Sequence, residues 1–266
     1  MGRFDHLEMG NWRPKQADAE QKPSGVLDQD YYLEKARDSF AAESYETALG
    51  YYSRTLQYEI NIEEAWLGQL RCLIELGELP EGIVWSNRAL ERFPKSARIL
   101  SARAVAEARA GRLGAAMGYS DSAFAAQGVD SYAWVARGDV LISANQTNAK
   151  GCFAKAIEMS PNDWAIRAWI GRAYLVRKQY HQALVYLNQA VRLDPERFTC
   201  WYWIGRCNSA LGQTDEAMTA YRRSLAACSA FTPAQTASRE LEGRGMMSKI
   251  VDGLKRLFGR RPTDGG

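Results

Sequence analysis

Histidine is nearly missing from this 266-residue chain: His6 and His181 are the only two. Neither a Ser–His nor a Cys–His catalytic arrangement is therefore well supported. A structural zinc site is equally unexpected. The five cysteines (Cys72, Cys152, Cys200, Cys207, Cys228) form no Cys-x-x-Cys pair. An odd count without such pairing points to reduced core thiols rather than a disulfide framework. No run of 18 apolar residues occurs, so no transmembrane helix is expected. Met1 to Leu7 lacks the apolar stretch of a secretory signal. Excess charge of one sign is missing too: 34 basic residues face 31 acidic ones. Nucleic-acid binding needs a concentrated basic stripe, so no nucleic acid is expected as partner. No P-loop, Gly-rich dinucleotide turn, G-x-S-x-G or H-E-x-x-H is present. No catalytic residue, metal site or cofactor is predicted, and the chain reads as non-enzymatic and cytoplasmic.

What the chain does have is a period. Small residues recur at Ala48, Gly82, Ala116, Ala149, Ala183 and Ala217, at steps of 34, 34, 33, 34 and 34. Ile60, Pro94, Gly128, Pro161, Pro195 and Ser229 follow in the same register, where helices should end. Ala36, Leu70, Ala104, Gly138, Gly171 and Gly205 precede it, again in step. A fixed period of this length marks a stacked helical array, in which small residues let paired helices approach closely. The fourth repeat is one residue short, and the gap falls in Ser143-Ala144-Asn145-Gln146-Thr147.

The best-formed repeat is the fifth. It reads Arg167-x₂-Ile170-Gly171-x₂-Tyr174, then Ala183-x₃-Leu187-x₂-Ala190, then Pro195. The sixth offers Trp201, Ile204, Gly205, Ala217, Tyr221 and Ser224. This pattern resembles the tetratricopeptide-repeat family, W-x₂-L-G-x₂-Y, A-x₃-F-x₂-A, P, over about three quarters of the chain. The resemblance implies an all-α, right-handed solenoid of six helix-turn-helix repeats over 28–230, a polar flexible tail over 1–27, and a capping helix over 231–244. Thr232-Pro233-Ala234-Gln235 looks like the start of that cap, with Thr232 as N-cap and Pro233 at the first helical position. Residues 245–266 would hold a basic amphipathic helix and a disordered tail.

By the same resemblance, the first helix of each repeat lines a concave groove that holds a protein or peptide partner. Trp-Ile-Gly-Arg occurs twice, at 169–172 and 203–206. The groove residues expected are therefore Trp169, Arg172, Tyr202, Trp203 and Arg206, with Tyr132, Arg71 and Arg37 in the same register. Arginine can fork onto a carboxylate, and tryptophan gives rigid apolar area, which suits an extended or acidic segment. The alternative is that both Trp pack into the array while both Arg pair with local acids. The family's two-carboxylate clamp for chaperone tails is disfavoured, since Leu33, Leu67 and Arg stand at its Lys and Asn positions. Separately, Ile250, Val251, Leu254, Leu257 and Phe258 make an apolar stripe beside Lys255 and Arg256. Such a helix could dock on a partner, fold back on the array, or make weak contact with a membrane surface. The function expected is a scaffold or adaptor, with a membrane-peripheral assembly factor as the alternative.

Overall fold

The computed structural model describes residues 28–243. The tail over 1–27 and the stripe over 246–258 lie outside those residues. Among the described residues there are helices and no strands. Twelve helices form six pairs: α1 (Gln29–Ala41) with α2 (Tyr45–Tyr58), α3 (Glu63–Leu76) with α4 (Leu79–Arg92), and α5 (Ala97–Arg109) with α6 (Leu113–Ala125). Then follow α7 (Ser131–Ser143) with α8 (Ala149–Met159), α9 (Trp164–Val176) with α10 (Tyr180–Leu193), and α11 (Phe198–Ala210) with α12 (Thr214–Ala227). A thirteenth helix, α13, covers 232–243. The chain is an all-α array of helical repeats. None of these helices is long and apolar enough to cross a membrane.

Each pair turns the same way. One residue per hairpin takes a left-handed conformation: Glu43, Gly77, Gly111, Asn145, Lys178 and Gly212, all with φ between 55° and 79°. The same backbone bond then closes each turn. The backbone N–H one position on reaches back across the turn, as from Glu78 to Leu73 O at 2.9 Å and from Gln213 to Asn208 O at 2.9 Å. This six-to-one bond satisfies carbonyls that the helix end leaves open. Glycine takes the conformation freely, whereas Glu43, Asn145 and Lys178 carry a side chain there at some cost. The series also places the missing residue. Asn145 lies four residues before Ala149, whereas every other turn residue lies five before its small partner. Accordingly α8 starts late and is 11 residues long, against 13 or 14 for α10, α11 and α12.

Small residues in the first helices receive rings from the second. A Cβ on Gly138 would sit 2.2 Å from the Phe153 ring, and one on Gly205 would sit 2.4 Å from the Tyr221 ring. No side chain fits at either place without moving the ring. Such contacts bury Phe153 and Tyr221 almost completely. The described cysteines are free; Cys72, Cys152, Cys200 and Cys207 are buried and Cys228 is half-buried. Burial pushes the Cys207 thiol up to about 12, so it stays protonated and inert.

The chain divides into two compact units inside α9, the first ending at Ala173 and the second beginning at Tyr174. In unit 1 the first helices pack in succession, α1 on α3, α3 on α5 and α5 on α7, and each also packs on its own partner. In unit 2, α11 packs on α10 and α12. Helix α13 covers the α11–α12 pair through buried Ala234 and Leu241, and its Arg239 and Glu242 face solvent. The helix begins at residue 232 itself, so Thr232 is its first residue rather than a cap. The Thr232 hydroxyl points back to Ala230 O at 3.5 Å, and the Gln235 amide donates to Ser229 O at 2.7 Å.

Candidate functional site

One face of unit 1, built mostly from the first helices, is filled by the chain's own side chains. Arg71 on α3 lies under three rings: its guanidinium carbon is 4.1 Å from the Trp169 centroid, 4.5 Å from Phe40 and 4.9 Å from Tyr132. Tyr132 and Trp169 meet edge to face at 5.6 Å. A cation enclosed by aromatic faces gains more than an exposed one, because water no longer competes for it.

Arg172 on α9 closes the same face. Its Nη1 donates to Glu43 Oε1 at 3.1 Å, across 129 residues of sequence, and to the Tyr45 hydroxyl. Its Nη2 donates to Glu75 Oε2. Glu75 is shared, since its other oxygen lies 3.4 Å from Arg109, and Arg109 reaches Asp139 at 3.5 Å. The side chains of Arg172, Glu75 and Glu43 are only 14%, 18% and 12% exposed. Burial works to raise the Glu75 pKa, but Arg172, Arg109 and Arg71 together hold it below its ordinary value. The same burial works against the Arg172 charge, and Glu75, Tyr45 and Glu43 keep it firmly on. The space left here is about 50 Å³. Arg37, further out, forks onto Glu64 at 2.6 and 2.5 Å and is half exposed.

Unit 2 carries the second Trp-Ile-Gly-Arg string in a different setting. A cleft of about 860 Å³ opens between the α9–α10 turn, α11 and α13. Arg206 lines it and is exposed to solvent. Its Nη1 donates to the Tyr202 hydroxyl at 3.1 Å, and its guanidinium carbon lies 5.9 Å from the Tyr202 ring and 5.8 Å from Trp203. No carboxylate pairs with Arg206 among the described residues. Tyr202 in turn packs on Tyr221 and Phe231, so the ring beneath the arginine is fixed by the core. Lys178, Ser209, Thr236 and Glu240 complete the walls.

Comparison with known proteins agrees with the hairpin geometry. A family model described as "Anaphase-promoting complex, cyclosome, subunit 3" matches residues 143–224, less than half of the chain. The match falls within the regular hairpins of the fourth to sixth repeats. The helical hairpins resemble tetratricopeptide repeats. Solved structures with this fold include a chain of the APC/C hetero-tetramer Cut9–Hcn1, at 19% identity and a TM-score of 0.50. That match covers 80% of this chain and 43% of the other. The human IFIT1 dimer with PPP-AAAA matches at 15% identity and a TM-score of 0.54, over 74% of this chain and 49% of that one. This chain spans less than half the length of either.

On the tetratricopeptide frame, the expected groove residues separate. Arg37, Arg71, Tyr132, Trp169 and Arg172 lie in unit 1, where each has a partner from its own unit. Tyr202, Trp203 and Arg206 come together in unit 2 at the open cleft. The register that picks out Arg37 and Arg71 misses Glu75 on α3 and Arg109 on α5, which share a repeat position one helical turn further along. Their opposite charges at equivalent repeat positions were the available signal. Glu43 and Tyr45 carried no local sign of their role, because their partner is four repeats away.

Proposed function

We propose that this chain is a non-catalytic protein-interaction scaffold whose binding groove is the cleft of unit 2, holding an extended peptide segment of a partner. One observation carries the reading: an exposed arginine, oriented by Tyr202 and Trp203, lines a cleft of about 860 Å³ without a carboxylate of its own among the described residues. Rigid aromatics and arginine are the residue types that dominate protein interfaces. The cleft walls add hydroxyls at Ser209 and Thr236, which can bond the backbone of an extended segment. In this reading Arg71, Tyr132, Trp169 and Arg172 hold unit 1 together, and Tyr202, Trp203 and Arg206 hold the partner.

Affinity capture with the full chain tests this, comparing wild type, Arg206→Glu and the control Arg223→Glu, which lies at Trp201 outside the cleft. Proteins captured by wild type and by the control are expected to drop at least ten-fold with Arg206→Glu. Equal capture by all three would remove the cleft from the function. A second role, contact with a membrane surface, is suggested by the apolar stripe of Ile250, Val251, Leu254, Leu257 and Phe258 beside Lys255 and Arg256. Flotation with anionic vesicles checks it: a chain ending at Glu242 should stay in the aqueous fraction while the full chain floats.

A further inference from the structure

We infer that the cleft of unit 2 reads an ampholytic segment, with a carboxylate set against Arg206 and Lys178 and a basic group set against Glu240. The inference rests on the reading of this cleft as a peptide groove and adds the chemistry of its occupant. Lys178, Arg206 and Glu240 come from three different elements: the α9–α10 turn, α11 and α13. All three are exposed, and none forms an ion pair among the described residues. Arg206 and Glu240 line one cleft without forming an ion pair. Unit 1 shows what this sequence does when charges are to neutralise each other: Glu75 and Glu43 are bonded directly to Arg172. Unit 2 instead sets two cations and one anion on three different elements around one cleft, with Tyr202, Ser209 and Thr236 among its other lining residues.

Such separation has two consequences for a ligand. A segment with charge of one sign meets attraction at one wall and repulsion at the other, so it is disfavoured by charge alone. A segment with opposite charges at its ends is attracted at both walls, and only in one direction, so the cleft also fixes which way the segment runs. Arg206 is already oriented by its bond to Tyr202, which lowers the ordering cost of that contact.

The test uses fluorescence anisotropy of the full chain with four pools of labelled octapeptides, each randomised among apolar and aromatic residues at the centre. One pool has glutamates at the amino end and lysines at the carboxyl end, one the reverse, one glutamates at both ends and one lysines at both. One mixed pool is expected to bind at least ten-fold tighter than either single-sign pool. The triple variant Lys178→Glu, Arg206→Glu, Glu240→Arg should transfer that preference to the opposite mixed pool. Glutamate tolerates the left-handed turn position, as Glu43 shows, and circular dichroism checks that the helices persist. Should the triple variant lose its helices, Glu240→Arg alone serves: it should move the preference to the pool with glutamates at both ends. Equal binding of the all-glutamate pool by wild type, or a preference unmoved by the charge changes, overturns the polarity and leaves the peptide groove standing. Binding by no pool overturns both.

Discussion

Trp169-Ile170-Gly171-Arg172 and Trp203-Ile204-Gly205-Arg206 are the same four residues in the same repeat register, yet they have opposite surroundings. Arg172 is buried against Glu43, Glu75 and Tyr45, and Trp169 is covered by Arg71. Arg206 stands exposed over Tyr202 and Trp203, at the edge of an open cleft. The difference lies in what faces each string rather than in the string. An arginine is a structural tie where acids from distant repeats reach it, and a ligand-facing group where none does. A repeated motif therefore identifies a position, and its neighbours decide the role.

The sharpest way to break this comparison is to remove the two guanidiniums separately. Arg172→Ala leaves Glu75 and Glu43 buried without their main partner, and loss of one member of a buried ion pair costs about 3–5 kcal/mol. Arg206→Ala removes an exposed group and should change stability by about 0.5 kcal/mol or less. Urea unfolding of the full chain, read as midpoint shifts, compares them, and equal shifts would erase the distinction between the units.

Acid titration should give an effect of the same sign. Glu75 has a lower pKa in the folded chain than its ordinary 4.5, because three arginine charges outweigh its burial. The unfolded chain therefore takes up the proton first as pH falls. The stability from this group is complete above its ordinary range and is lost below it, down through the folded value. Glu75→Gln should lower stability at neutral pH and flatten its decline below pH 4.5. An unaltered acid profile would mean that the cluster carries no net charge coupling.

The smallest effect concerns the turns. Lys178 and Gly212 occupy equivalent left-handed positions in unit 2. Lys178→Gly should stabilise by about 1 kcal/mol, and Gly212→Lys should destabilise by about the same. Thermal unfolding of the two variants decides it, with shifts of equal sign counting against the shared conformation.

The period and the small residues that admit Phe153 and Tyr221 are plain in the sequence, because local packing in each hairpin repeats with them. The turn series was harder to see. Only three of its six positions are glycine; Asn145 is of a type that tolerates positive φ, but Glu43 and Lys178 give no such sign. The separation of Arg172 from Arg206 was not legible at all. It depends on Glu43, 129 residues from its partner, and no spacing rule links two such positions. The same holds for the cleft, whose anionic wall comes from α13, outside the repeat pattern.

In a repeat array where each member touches only its neighbours, unfolding can begin at a free end and advance stepwise. The bond from Arg172 to Glu43 ties the fifth repeat to the first and turns that line into a loop. A loop has no loose end at which to start. The first four repeats and the part of α9 that reaches Ala173 should then melt together as one cooperative block, and no repeat among those four can be deleted or duplicated without parting the tie.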